Sequence, residues 1–146
     1  MIRPMEEAWI RRDRVALSCE GSHLILHAAE EKAAAIGVPQ CIAIVDGGGD
    51  LVAFSRMDDA RAGSIEIALT KARSAARRKR ATADEAGGDV LASVRLSIAS
   101  QMNVTGIGGG LPIVVHGQTI GGIGVSSGTA EEDTAVALAG LAAFGA

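Results

Sequence analysis

The chain has 146 residues, the length of one ordinary domain, and its 48% hydrophobic and 21% charged content is neither disordered nor collagen-like. A net charge of −3 gives no electrostatic footprint for nucleic acid or an anionic membrane. Two Phe, one Trp and no Tyr leave too few aromatic platforms for single-strand binding.

The apolar fraction is dominated by small residues, with 27 alanines and 19 glycines. A core built from Ala, Ile, Leu and Val is thin, and a small chain buries little surface alone, so further burial between subunits is expected. Met1 to Arg14 carry charges of both signs and lack a signal-peptide core. Every apolar run stops short of the roughly 18–20 residues of a membrane helix. The reading is a soluble cytoplasmic protein forming a single domain over residues 1–146. Cys19 and Cys41 show no CxxC spacing and read as reduced thiols, not a disulfide.

In chain order, residues 6–36 read as one long helix stopped by Gly37-Val38-Pro39, with Gly21 and Ser22 as a weak point in its middle. Gln40 to Asp46 and Leu51 to Arg56 are strand-like and joined by Gly47-Gly48-Gly49-Asp50, which predicts a β-hairpin. Residues 63–80 read helical, with Ile65, Ile67, Ala68, Leu69, Ala72, Ala75 and Ala76 on the apolar side, and 88–101 read as one or two short helices. A second glycine cluster, Gly106 to Gly110, precedes a second hairpin whose turn is Gly117-Gln118. Thr129 is an N-cap for the last helix, with Glu131, Glu132 and Asp133 in its first turn. Strands paired in hairpins, with helices between the pairs, predict an antiparallel sheet and the α+β class.

Few motifs carry chemistry. Gly108, Gly109, Gly110 and Leu111 lead into a strand, which excludes a P-loop and a dinucleotide fingerprint. They read equally as a ligand-contacting loop and as a turn needing positive φ. His23 and His27 lie one helical turn apart and share a face. They read as partly exposed helix histidines, or one of them, His27 first, as the axial ligand of a haem iron. His116 at a hairpin end reads as a surface residue. Arg77-Arg78-Lys79-Arg80 is a solvated helix end, or with Arg73 a site for carboxylates or haem propionates. Lys71 stands among Ile67, Ala68, Ala72 and Ala75, and the rotation of its helix decides whether it is buried and available as a base or clamp. Arg56, Asp58 and Asp59 end the second strand and read as a pocket edge or a capped turn. No nucleophile elbow is present, which argues against triad hydrolysis.

The segment Ile44-Val45-Asp46-Gly47-Gly48-Gly49-Asp50-Leu51-Val52-Ala53-Phe54-Ser55-Arg56-Met57-Asp58 resembles the first signature of the GlcG/HbpS-like family, also called the haem-degrading domain or DUF336. Gly109 to Ile113, Gly121 to Ser126 and Glu132-Asp133 resemble the second, with Lys71-Ala72 at the matching place between. The resemblance implies a five-stranded antiparallel sheet flanked by helices, in the profilin-like group. It also implies dimer-based homo-oligomers, from tetramer to octamer, and a small-ligand pocket near subunit contacts and the Gly109–Ile113 loop. Some members bind haem and promote its degradation. One subgroup is fused to a corrinoid adenosyltransferase, and many are encoded beside catabolic genes. Asp50 departs from the histidine common after the hairpin glycines, and the segment from Arg73 to Arg80 is more basic than the family pattern.

Two readings result, beside a purely structural role in assembly. In one, the protein binds haem, with His27 or His23 on iron and Arg73, Arg78 or Lys79 on the propionates. In the other, it is an isomerase, hydratase or lyase acting on a small carboxylate. There Lys71 and Arg56 would bind the carboxylate, and Glu132 or Asp46 would move the proton.

Overall fold

The computed structural model describes residues 7–145. Helix α1 spans Cys19–Ala35 and strands β1 and β2 span Cys41–Asp46 and Leu51–Arg56. Helices α2 and α3 follow at Ser64–Arg78 and Val90–Ala99, with a 3₁₀ stretch at Thr82–Gly88 between them. Strands β3 and β4 span Gly110–Val115 and Gln118–Ser126, and α4 spans Ala130–Phe144. The class is α+β, as the hairpin pattern predicts.

The first helix is shorter than its sequence pattern suggests. Met1 to Glu6 lie outside the described residues, Glu7–Trp9 form a 3₁₀ turn, and the helix begins only at Cys19. Ser18 is extended and its side chain accepts from the Gly21 N–H, an N-cap that puts Gly21 and Ser22 in the first turn. Upstream, the Gln118 side chain pins the chain by donating to the Asp13 carbonyl at 2.8 Å and accepting from the Val15 N–H at 3.2 Å.

The sheet order is β2-β1-β4-β3, with every neighbouring pair antiparallel. This corrects the five-stranded expectation: among the described residues the sheet has four strands. The two hairpins supply all of them. The remaining segment beside the sheet, around residues 13–15, meets it through the Gln118 side chain and not through a backbone ladder.

Helices cover both faces. Ile42 and Ile44 of β1, with Ile123 and Val125 of β4, cluster with α1 and α4. Cys41, Ala43 and Val45 point the other way, onto Ala68, Ala72 and Ala76 of α2. Two-sided burial explains why β1 is an unbroken apolar run. On the α2 side, β4 presents glycine. A Cβ on Gly122 would strike the Ala72 carbonyl, and one on Gly124 would strike the Ala68 carbonyl and the Ala72 nitrogen. The helix therefore lies directly on strand backbone. Helix α4 starts as expected, with Thr129 and Glu132 forming a capping box. None of the described helices is long and apolar enough to cross a membrane.

Gly124→Ala is expected to lower stability by about 3 kcal/mol, beyond ordinary overpacking because backbone atoms block the new methyl. Urea unfolding of the two proteins measures it.

Candidate functional site

Lys71 is buried, at 1% exposure, because the alanine face of α2 turns it toward the sheet. Its Nζ donates to the Val125 carbonyl at 2.8 Å and to Asp133 Oδ2 at 2.9 Å, forming an ion pair with Asp133. The other Asp133 oxygen accepts from the Gly128 N–H at 3.0 Å. With its amide nitrogen facing two acceptors, Gln40 donates to Asp133 Oδ1 at 2.9 Å and to the Ser126 carbonyl at 2.7 Å. A buried ammonium and carboxylate survive only when paired and hydrogen-bonded, and these partners meet that demand.

The glycine loop closes over this pair. Gly109 has φ +113°, and a Cβ there would lie 2.7 Å from the Val125 carbonyl oxygen, 2.8 Å from Asp133 Cβ and 3.0 Å from Lys71 Nζ. The Thr82 hydroxyl holds the loop by donating to the Ile107 carbonyl at 2.6 Å and accepting from the Gly110 N–H at 3.0 Å. Gly108, Gly109 and Gly110 are buried and Leu111 is half-buried. Outside lies an open groove of about 410 Å³, to which Arg61, Ser64 and Ser127 contribute beside Lys71 and Asp133. Arg61 is fixed at that rim, its guanidinium donating to the Ser127 carbonyl at 2.8 Å.

Of the other residues read as catalytic, Glu132 lies beside the pair but is engaged in a helix cap, and Arg56 and Asp46 stand apart from it. Glu132 Oε2 accepts from the Thr129 N–H at 2.9 Å and so caps α4. Asp46 lies at the opposite end of the sheet, opposite Gly121 in register, and its Oδ1 accepts from the Gly48 and Asp50 N–H groups inside the hairpin turn. Arg56 is exposed at the end of edge strand β2. The compact polar pocket expected from Lys71, Arg56, Glu132 and Asp46 is not assembled.

The expected haem site is also divided. His23 and His27 share the exposed side of α1, with ring centroids 6.0 Å apart. Arg73 and Arg78 belong to α2, on the other face of the sheet. The basic run has internal partners. Arg73 donates to the Gly49 carbonyl at 3.2 Å and Arg77 to the Gly48 carbonyl at 2.8 Å, clamping the first hairpin turn. Arg78 forks onto buried Glu85, at 2.9 and 3.3 Å, which raises the guanidinium pKa and lowers that of the carboxyl. Lys79 ends the helix in a left-handed conformation, and exposed His116 lies at the β3–β4 turn.

The sequence reading placed Asp133 in the helix start and in the second signature but gave it no role in a site, although one signal marks it. Asp133, Val136, Ala137, Gly140 and Leu141 form the buried stripe of α4, so an acid occupies a core position. Gln40 and Glu85 carry no comparable mark. Cys19 is exposed and Cys41 buried, both as free thiols, and burial raises the Cys41 pKa.

Asp133→Asn should cost about 3–5 kcal/mol in urea unfolding, because it strands the Lys71 ammonium. Adding Lys71→Met should recover part of that loss. The lowered Glu85 pKa means its stabilisation is present above the usual carboxylate range near about 4.3 and is lost as pH falls through the folded value. Glu85→Gln should therefore cost about 1 kcal/mol at neutral pH and flatten the acid limb of a stability–pH curve.

Residues 17–142 match the family model described as haem degrading protein HbpS-like. The GlcG protein of Escherichia coli K12 is 36% identical over 115 residues, covering 79% of this chain and 84% of GlcG. The crystal structure of Klebsiella pneumoniae ORFY, a DUF336 protein, aligns with a TM-score of 0.82 at 32% identity, over 99% of each chain. The crystal structure of a PduOC–haem complex aligns with a TM-score of 0.79 at 34% identity, over 88% of this chain and 95% of that one. Both signatures and the fold between them agree with these matches, and the chain belongs to the HbpS-like family.

Proposed function

We propose that this protein binds haem as a homo-oligomer, with His27 on α1 as the iron ligand. The observation that carries the assignment to His27 is its setting. The side chain is 66% exposed and Nδ1 lies 3.5 Å from Glu30 Oε2. A carboxylate beside one ring nitrogen favours the tautomer that leaves the other, Nε2, as donor. His23 and exposed Leu24 extend the same face. The donor chemistry thus fits haem. Arg73 and Arg78 are not proposed as propionate partners in the same protomer, since the sheet stands between them and α1. Bound haem would supply an iron atom with axial positions and a macrocycle open to oxidative degradation. The chain's own contribution would be to hold the iron through one exposed imidazole, with the Glu30 carboxylate 3.5 Å from its other nitrogen.

Support comes from the family description and from the haem complex of PduOC. The small-carboxylate enzyme has weaker support, because Asp46 lies at the opposite end of the sheet from Lys71 and the Glu132 carboxylate is taken up as a helix cap. Haemin titration followed by absorbance should give a saturable, stoichiometric Soret shift. His27→Ala should weaken it at least tenfold, and His23→Ala should weaken it less. An unchanged shift in His27→Ala would exclude this residue, and the absence of any stoichiometric shift in the wild type would exclude the function.

A further inference from the structure

The groove beside the Lys71–Asp133 pair is lined by donors that the fold leaves short of acceptors. Ser64, Ile67 and Lys71 are three and four residues apart, so one stripe of α2 forms a wall of it. Ser64 is 5% exposed, and its hydroxyl has no hydrogen-bond partner among the described residues. No sealed side-chain polar atom is unpaired among those residues, so this hydroxyl reaches solvent through the groove that Ser64 lines. A nearly buried hydroxyl gains from an acceptor supplied from outside. Lys71 has three donors and gives one to Val125 and one to Asp133, so the third is uncommitted.

Arg61 stands one turn before Ser64, whose N–H donates to the Arg61 carbonyl at 2.9 Å. The Arg61 N–H donates to the Ser127 hydroxyl at 3.1 Å and the guanidinium to the Ser127 carbonyl at 2.8 Å. Ser127 is held at φ +111°, a strained conformation for a residue with a side chain. Two bonds to this residue fix Arg61, yet among the described residues only one of its five side-chain N–H donors is engaged. The neighbouring carboxylates are already taken. Asp133 accepts from Lys71, Gly128 and Gln40, and Glu132 accepts from the Thr129 N–H. Glu66 lies roughly 200° around α2 from Ser64, away from the stripe. Apolar wall comes from Ala130 and from Ile67 and Ile107, which are 41% and 56% exposed.

We infer that this groove binds a short aliphatic monocarboxylate. Its carboxylate sits on the Arg61 guanidinium and the Ser64 hydroxyl, with the Lys71 charge beneath, and its hydrocarbon body covers Ile67, Ile107 and Ala130. The free groups are donors, so the ligand must bring acceptors, and a planar two-oxygen anion matches the guanidinium fork. The apolar walls favour a carboxylate with a hydrocarbon body over inorganic phosphate. The site uses neither His27 nor Arg56 and is independent of the haem reading.

The test is a titration of the isotope-labelled full chain, without haemin, with sodium butyrate, followed by amide chemical shifts. Butyrate should give saturable shifts in the millimolar range, centred on Ser64, Ser127 and Gly128. Arg61→Gln should weaken binding about tenfold or more, and Arg61→Lys should recover only part of it. Ser64→Ala, which removes one free hydroxyl and leaves the packing intact, should weaken it about threefold. Arg95→Gln, on exposed α3 surface, should leave it unchanged. The absence of any saturable shift in the wild type would overturn the inference. Phosphate moving the same amides as tightly as butyrate would show an unselective anion site and overturn the carboxylate assignment. Wild-type affinity in both Arg61→Gln and Ser64→Ala, or shifts centred on the His27 face of α1, would place the ligand elsewhere and also overturn it.

Discussion

The direct seating of α2 on the backbone of β4 is the constraint from which the rest of the structure follows. Gly122 and Gly124 leave no side chain between strand and helix, and Ala68, Ala72 and Ala76 answer them from α2. Close contact replaces bulk as the source of dispersion energy, since many short heavy-atom contacts accumulate where surfaces match. The alanine and glycine content is thus concentrated where shape is demanded. This seating also carries Lys71 so far inward that its ammonium reaches the Val125 carbonyl and Asp133.

The Lys71–Asp133 pair joins helices on opposite faces of the sheet. Helix α2 packs on one side and α4 on the other, and the pair passes around the Ser126 end of β4 to connect them. Gln40, just before β1, adds the neighbouring strand to the same polar cluster. Such a pair offers little net stability over well-packed apolar residues, but a mispaired arrangement strands a charge. Its effect is therefore selective: it favours one seating of both helices. The glycine loop at Gly109 then covers it at a separation only glycine allows.

Both hairpins, α2 and the capped start of α4 were legible because each rests on local chemistry: strand runs flanked by glycine, an alanine stripe, and Thr129 three residues before Glu132. The start of α1 was not. Ser18 is a good cap, yet Trp9, Ile10 and Leu17 continue a helical spacing that the chain does not use, and Gln118, about a hundred residues away, decides the outcome. Candidate site residues were legible as chemistry but not as neighbours. His27 and Arg73 are compatible with one ligand until the sheet is placed between them. Asp46 and Lys71 belong to opposite sheet ends, which only the register of β1 on β4 reveals.

The clamp that Arg73 and Arg77 place on the Gly48 and Gly49 carbonyls bears on the order in which the molecule comes together. Each hairpin can form within its own stretch of chain, but the central β1–β4 pairing must close a loop of dozens of residues that contains α2. Helix α2 touches the turn of the first hairpin through its arginines and the strand of the second through its alanines. It is thus positioned to bring the hairpins into register as it docks. Until then the glycine face of β4 has only water against it, so the late step of folding is the drying of a seam made of backbone.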